Sequence, residues 1–144
     1  MKYIFGLCVL LLVFGCKKAE KNTLEIKKKK EYVMYEASEM TLLMNQMYEL
    51  NQKIKEDILA GNIPEEFPDK FLKIHTAELS NFKTRDENFK NFSKLFIETE
   101  KEIFNTSSNV PVEKRFNNMV NLCVSCHKTE CTGPIPRIKK LLIK

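Results

Sequence analysis

The sequence is poor in the patterns that mark several common classes of protein. It contains no tryptophan and only two histidines among its 144 residues. No segment alternates between apolar and polar residues as half-buried strands do, and no segment repeats at a fixed period. These absences disfavour β-rich folds and repeat architectures. Outside one short cysteine and histidine motif, no nucleophile and base stand in a pattern typical of an active site, so we do not expect an enzyme.

Cysteines are few, and the fate of the first two depends on processing of the chain. The sequence has five of them. The apolar run IFGLCVLLLVF at positions 4–14 is too short for a stable membrane span and has the layout of a signal-peptide core. Its ending, VFGC, resembles the lipobox of bacterial lipoproteins, which is cut before the cysteine and lipidated on the cysteine sulfur. An ordinary secretory signal or an uncleaved anchor is the alternative.

The lipobox resemblance implies that residues 1–15 are a lipoprotein signal peptide and that Cys16 is the lipidated first residue of the mature chain. The protein would then be lipid-anchored to the membrane of the bacterial cell envelope and face the periplasm. Only three cysteines would remain for the body of the protein, which excludes a framework of paired structural disulfides. Cys131 is either a buried thiol or the site of an intermolecular disulfide in a homodimer.

The basic excess of the chain is confined to one segment. The net charge is +5, and residues 17–30 alone hold seven lysines against two glutamates, whereas residues 31–144 are close to neutral. We therefore predict that residues 16–30 are a solvated, lysine-rich tether that also suits contact with anionic lipid head groups. The segment has no aromatic residue, so we do not expect a nucleic-acid partner.

Helical periodicity dominates residues 31–128 and predicts an all-α fold, an antiparallel four-helix bundle in one domain. The first helix has an apolar seam with spacings of three and four, and Gly61 is expected to end it. One polar residue, Asn51, lies on this seam. The seam residues are Val33, Ala37, Met40, Met44, Met47, Asn51, Ile54 and Ile58.

Three further helices are predicted after Gly61. The second begins between Pro64 and Pro68 and runs to about Phe82, and the third begins at Thr84, where Thr84 and Glu87 have the spacing of a capping box. The fourth follows Pro111. A glycine and two prolines then stop this helix, and residues 129–144 form a C-terminal extension with a short helix or basic amphipathic turn.

The pentapeptide CVSCH, residues 123–127, ends the fourth predicted helix and carries the clearest chemistry. Two thiols three residues apart face the same side of a helical turn and suit thioether bonds to the two vinyl groups of a haem. His127 follows and suits iron binding through a neutral ring nitrogen. The alternatives are a structural zinc site with Cys123, Cys126, His127 and Cys131, a redox-active dithiol, and two buried cysteines beside an incidental histidine.

With this motif at the end of the last of four helices, the chain resembles the class II cytochromes c, the family of cytochrome c′ and its six-coordinate relatives. The resemblance covers about residues 31–128 and also rests on the stretch EMTLLMNQMYEL in the first helix. It implies one covalently attached haem c. Cys123 and Cys126 would form the thioethers, and His127 would be the proximal iron ligand.

The same resemblance suggests which residue lies on the side of the iron opposite His127. In low-spin members of the family a methionine of the first helix is the distal ligand, and Met40 matches its position. Met44 and Met34 are alternatives, and a five-coordinate iron without any methionine ligand is another. His75 could provide a second histidine ligand, although a lone helical histidine is more often a surface residue.

These features predict a membrane-tethered monohaem c-type cytochrome that transfers single electrons between redox partner proteins of the envelope. The first alternative is a five-coordinate haem protein that binds or senses nitric oxide or carbon monoxide. A non-haem lipoprotein with structural zinc or a scaffolding role is the second. Class II cytochromes usually stop soon after the motif, whereas this chain continues. Its extension lysines and Arg137 are expected to pair with haem propionates, to form a docking surface, or simply to be a solvated helix end.

Overall fold

The computed structural model describes residues 36–144, and this part of the chain is helical without any strand. The all-α prediction is therefore confirmed for the described residues. None of their helices combines the length and apolar character that a membrane crossing requires. In chain order the elements are α1 (Glu39–Leu59), a first 3-10 helix (Asp69–His75), α2 (Glu87–Ile103), α3 (Val112–Glu130), α4 (Ile135–Ile138) and a second 3-10 helix (Lys139–Leu141).

Helix α1 begins and ends where its sequence provides caps. The side-chain oxygen of Ser38 accepts a hydrogen bond from the backbone N–H of Thr41 at 3.3 Å, which satisfies one of the free donors of the first turn. Gly61 follows the helix with a φ of +81°, a conformation that glycine adopts without steric cost. Ala37, which the periodicity included in the helix, precedes the cap. From Met40 to Ile58 the predicted seam is buried except at Met44, which is half-buried, and Leu43 is buried in addition.

The predicted second helix, from between Pro64 and Pro68 to about Phe82, is wrong in length and type. Only the 3-10 helix is present, and the Phe82 side chain is 80% exposed. The backbone that would continue the helix is bonded to α1 instead. The N–H of Met40 donates to the Glu78 carbonyl at 2.9 Å, and the N–H of Glu78 donates to the Glu39 carboxylate at 2.9 Å. These bonds hold the connection against the first turn of α1 in an irregular conformation.

Helix α2 begins two residues later than its capping-box pattern predicts. The Asp86 carboxylate, and not the Thr84 hydroxyl, accepts the bond from the backbone N–H of Phe89, at 2.8 Å. At the other end, buried Arg115 of α3 donates to the carbonyls of Glu102, Ile103 and Asn105. A guanidinium on these carbonyls satisfies acceptors that the helix leaves free and opposes the negative end of its dipole.

Helices α2 and α3 make the most extensive contact among the described elements, and α1 and the first 3-10 helix pack beside them. The core is rich in phenylalanine. The rings of Phe67 and Phe71 meet edge to face with centroids 6.1 Å apart, and Phe71 also contacts Phe96 at 6.0 Å. Such pairs add a modest stabilisation to the burial of their apolar area.

The segment after α3 is part of this core. Ile138 and Leu141 are buried. The Asn117 amide of α3 exchanges two hydrogen bonds of 2.8 Å with the backbone of Ile143. Lys55 of α1 donates from Nζ to two carbonyls of the segment, at residues 140 and 142, both at 2.9 Å. Residues 132–144, the closing segment, are thus hydrogen-bonded to α1 and to α3.

Several predictions fall on residues that the structure does not describe. The signal peptide, the tether, the lipidated Cys16 and the alternative ligand Met34 all lie outside residues 36–144.

Candidate functional site

An apolar cavity lies between α1, α2, α3 and the closing segment. It encloses about 830 Å³ of atom-free space, part of which is open to solvent. Phenylalanines of α2 form one wall, including Phe89, Phe92 and Phe96, and residues of α1 form the wall opposite. Ile138 and Leu141 of the closing segment complete the enclosure.

The three chemical residues of the CVSCH motif line this cavity together. Cys123, Cys126 and His127 are contributed by the last turns of α3. Residues separated by three and four positions share one face of an α-helix, and this face is directed at the cavity. Ser125, between them, is exposed and donates to the carbonyl of Asn121 at 3.0 Å. The spacing of the motif therefore brings its two thiols and its imidazole to one apolar space.

The imidazole of His127 is oriented by the turn that ends α3. Its Nδ1 lies 2.9 Å from the backbone carbonyl of Cys131. A carbonyl can only accept, so this hydrogen bond requires the proton on Nδ1 and leaves Nε2 with a free lone pair. Histidines that bind metals typically donate the other ring N–H to a carbonyl or carboxylate in this way. The ring is thus held in the tautomer that suits metal binding through Nε2.

Both thiols of the motif are disfavoured as thiolates. Burial raises the pKa of the Cys123 thiol well above its usual range, and the nearby Glu100 and Cys126 raise it further. Burial and the charge of Glu130 raise the pKa of Cys126 to about 11. Although each residue keeps some exposed surface, its sulfur lies in apolar surroundings. Redox-active dithiols show the opposite shift, so this environment does not favour a thiol oxidoreductase.

The methionines of α1 differ in their relation to the cavity. Met44 and Met47 line it, whereas Met40, with 8% of its surface exposed, is buried in the core away from the lining. The sequence pattern did not single out Met47, although it lies on the same seam. His75 does not line the cavity either. It is exposed, and its Nδ1 lies 3.3 Å from the hydroxyl of Ser93, which does line it.

The residues considered for zinc are not arranged as a metal site. Within residues 36–144, no group of three or more histidine, cysteine, aspartate or glutamate side chains could hold a metal ion. Cys131 is a free, exposed thiol, so its interpretation as a buried thiol is wrong. The α-helix has ended at Cys131. Its backbone carbonyl is therefore free of the helix and accepts the hydrogen bond from His127.

Two buried polar side chains near the cavity were not expected to carry chemistry. Glu100 is 0% exposed, and Asn51, which lines the cavity, is also buried. Burial raises the pKa of Glu100 to about 8, and the Asn51 amide offsets this only in part. Neither carboxylate oxygen of Glu100 has a hydrogen-bond partner of normal geometry in the described structure. The Asn51 amide is therefore close to the carboxyl but poorly aligned with it.

The arrangement brings two thiols and one imidazole to the same apolar space. No protein-family model matches the chain, and no match is found among curated proteins or among solved structures. The function of the cavity is therefore inferred from its own residues.

Proposed function

We propose that the protein is a membrane-tethered monohaem c-type cytochrome that transfers single electrons between partner proteins of the cell envelope. One observation carries the proposal: Cys123, Cys126 and His127 line the same apolar cavity, and the imidazole of His127 has its Nδ1 bonded to a carbonyl. A haem held there would supply the reversible one-electron chemistry of its iron.

The residues present fit such a group in three respects. Two sulfurs of one helix face can bind two vinyl carbons, and a thioether carries no charge that an apolar wall would penalise. Nε2 of His127 is free to bind iron. The phenylalanines of α2 line the cavity and would offer flat apolar surface to a porphyrin and exclude water from it. Exclusion of water lowers the local dielectric response and thereby influences the reduction potential.

The distal ligand is proposed to be a methionine of α1. Met40 matches the family pattern, but Met44 and Met47 belong to the lining of the cavity and Met40 does not, so of the methionines suggested by the sequence the geometry favours Met44 over Met40. A methionine opposite His127 would saturate the iron, which suits electron transfer and blocks small ligands. If neither methionine binds, the open side would suit nitric oxide or carbon monoxide, which is the alternative function.

The likeness to class II cytochromes c remains part of the proposal. In the proposed bundle, α1, the first 3-10 helix, α2 and α3 would take the four helical positions in chain order. The lipid anchor at Cys16 and the tether of residues 16–30 are supported by the sequence alone. Together they would keep the domain at the membrane surface, where envelope redox partners are within reach.

Mass spectrometry of the mature protein tests the proposal directly. The chain is produced with its signal in cells that are equipped for haem attachment, and we expect a covalently added haem on the wild type. A Cys123→Ala, Cys126→Ala double variant should lack it. Cys131→Ala is the matched control, because this thiol is exposed and outside the cavity, and it should keep the haem. A wild-type chain without the added mass would refute the proposal.

A further inference from the structure

Arg137 of α4 is the one lysine or arginine among the described residues that line the cavity. The rest of the lining is dominated by apolar side chains. Arg137 is itself exposed, so its guanidinium lies between solvent and the cavity. The surroundings of Arg137 therefore bear on what the cavity binds.

Two residues of α1 hold the guanidinium in place. Its Nη1 donates to the side-chain oxygen of Asn45 at 2.8 Å, and its central carbon lies 3.9 Å from the centroid of the Tyr48 ring. The second distance is well within the range of cation–π attraction. Asn45 and Tyr48 also line the cavity. The three residues together form a polar corner, the Arg137 corner, in an otherwise apolar enclosure.

No carboxylate of the described chain neutralises this charge. The ion pairs found in residues 36–144 are Lys83 with Glu130 and Lys90 with Glu87, and neither involves Arg137. One amide oxygen and one ring face occupy only part of a guanidinium that has five N–H donors. Arg137 therefore retains donors and a full charge at the edge of the cavity.

The backbone beneath Arg137 is also fixed. Ile138, the next residue, is buried, and Lys55 and Asn117 bond the closing segment to α1 and α3. Little conformational freedom remains to be lost when the guanidinium binds an anion, and such preorganisation strengthens binding.

We propose that the Arg137 corner binds a carboxylate of the molecule held in the cavity, which under the proposed function is a propionate of the haem. The inference rests on the proposed function and adds to it the anchor of the haem's acidic edge. A planar guanidinium can meet a carboxylate with two parallel hydrogen bonds. Asn45 and Tyr48 are positioning residues, because they act on the carboxylate through Arg137.

Such a pair affects the haem in two measurable ways. The guanidinium favours the ionised carboxylate, so it lowers the pKa of the propionate. Its positive charge would also disfavour the ferric state of a bound haem and so raise the midpoint potential. Removal of the charge should reverse both effects.

The test measures the midpoint potential of the haem-loaded protein as a function of pH in wild type and Arg137→Gln. We expect Arg137→Gln to lower the potential at neutral pH. The ionisation visible in the pH profile should move upward by about one pH unit or more, the usual effect of one close opposite charge. Arg137→Lys, which keeps the charge and loses the planar fork, should fall between the two.

Lys139→Gln is the matched control, because it removes one positive charge from the same segment at an exposed residue outside the cavity lining. Arg137 is exposed as well, so solvent and salt screen both charges, and the shifts of Lys139→Gln should be the smaller because only Arg137 lines the cavity. Equal pH profiles for Arg137→Gln and Lys139→Gln would overturn the inference while leaving the haem assignment intact. If Arg137→Gln does not accumulate as folded protein, Asn45→Ala replaces it. A smaller shift in the same direction supports the inference, and an unchanged profile overturns it.

Discussion

Replacement of Glu100 by Gln is expected to change how the stability of the protein depends on pH. Glu100 is 0% exposed, and its burial raises the pKa from an ordinary 4.5 to about 8. Between these values the folded protein keeps the carboxyl proton and the unfolded chain has lost it. Unfolding therefore releases a proton in this window, and stability falls as the pH rises.

The size of the effect follows from the width of that window. Each pH unit between the two pKa values lowers the free energy of unfolding by about 1.4 kcal/mol. From pH 5 to pH 8 the titration of Glu100 should therefore lower it by about 3 kcal/mol. Below about pH 4.5 this effect of Glu100 on the free energy of unfolding is absent, so stability has its highest value there with respect to Glu100. It declines up to about pH 8 and stays constant above that pH.

Urea unfolding followed by circular dichroism, at several pH values from about 5 to 8, measures this slope. Glu100→Gln carries a neutral side chain of the same shape, so the slope due to Glu100 should disappear. Other titrating groups contribute equally to both proteins and cancel in the comparison. Glu98→Gln, at an exposed position of the same helix, is the matched control and should keep the wild-type slope. An equal slope in wild type and Glu100→Gln would refute the reasoning.

Two further predictions concern the distal ligand and the end of α2. In the haem-loaded protein of the proposed function, Met44→Ala should convert a low-spin absorption spectrum to a high-spin one and permit carbon monoxide binding, whereas Met40→Ala should leave the spectrum unchanged, because Met44 lines the cavity and Met40 does not. The reverse result would assign the ligand to Met40. Arg115→Met should lower the unfolding free energy by about 2 to 3 kcal/mol in denaturant titrations, since it removes the hydrogen bonds to three carbonyls of the α2 terminus. Lys114→Met, at an exposed neighbour, should change it little, and equal losses in both variants would contradict the capping role.

Local patterns predicted the long helices well, because each has an apolar stripe and a recognisable end. They failed where distant backbone decides the conformation. Nothing near Phe82 indicates that the N–H of Met40 will bind the carbonyl of Glu78. Likewise, the Thr84 and Glu87 pattern was a valid capping signal, but Asp86 offered a carboxylate two residues later and formed the cap.

The candidate site was partly predictable for the same reason. The positions of Cys123 and His127 on one helix face follow from their spacing, and the structure places both at one cavity. The choice between Met40 and Met44 depends on where along α1 the cavity lies. The apolar periodicity predicts which face of the helix is buried, but it does not predict that position along the helix. Glu100 did leave a signal, because it follows Phe96 by four residues on the apolar stripe of α2. A glutamate at such a position indicates a buried carboxyl.

The closing segment has a consequence for the order of folding. It meets Lys55, 85 and 87 residues away along the chain, and contacts of such sequence separation form late because a long loop must close first. The cavity is therefore expected to acquire its last wall after α1, α2 and α3 have packed. Under the proposed function, Cys123 and Cys126 would until then be accessible for haem attachment, and the step that completes the core would then enclose the attached haem.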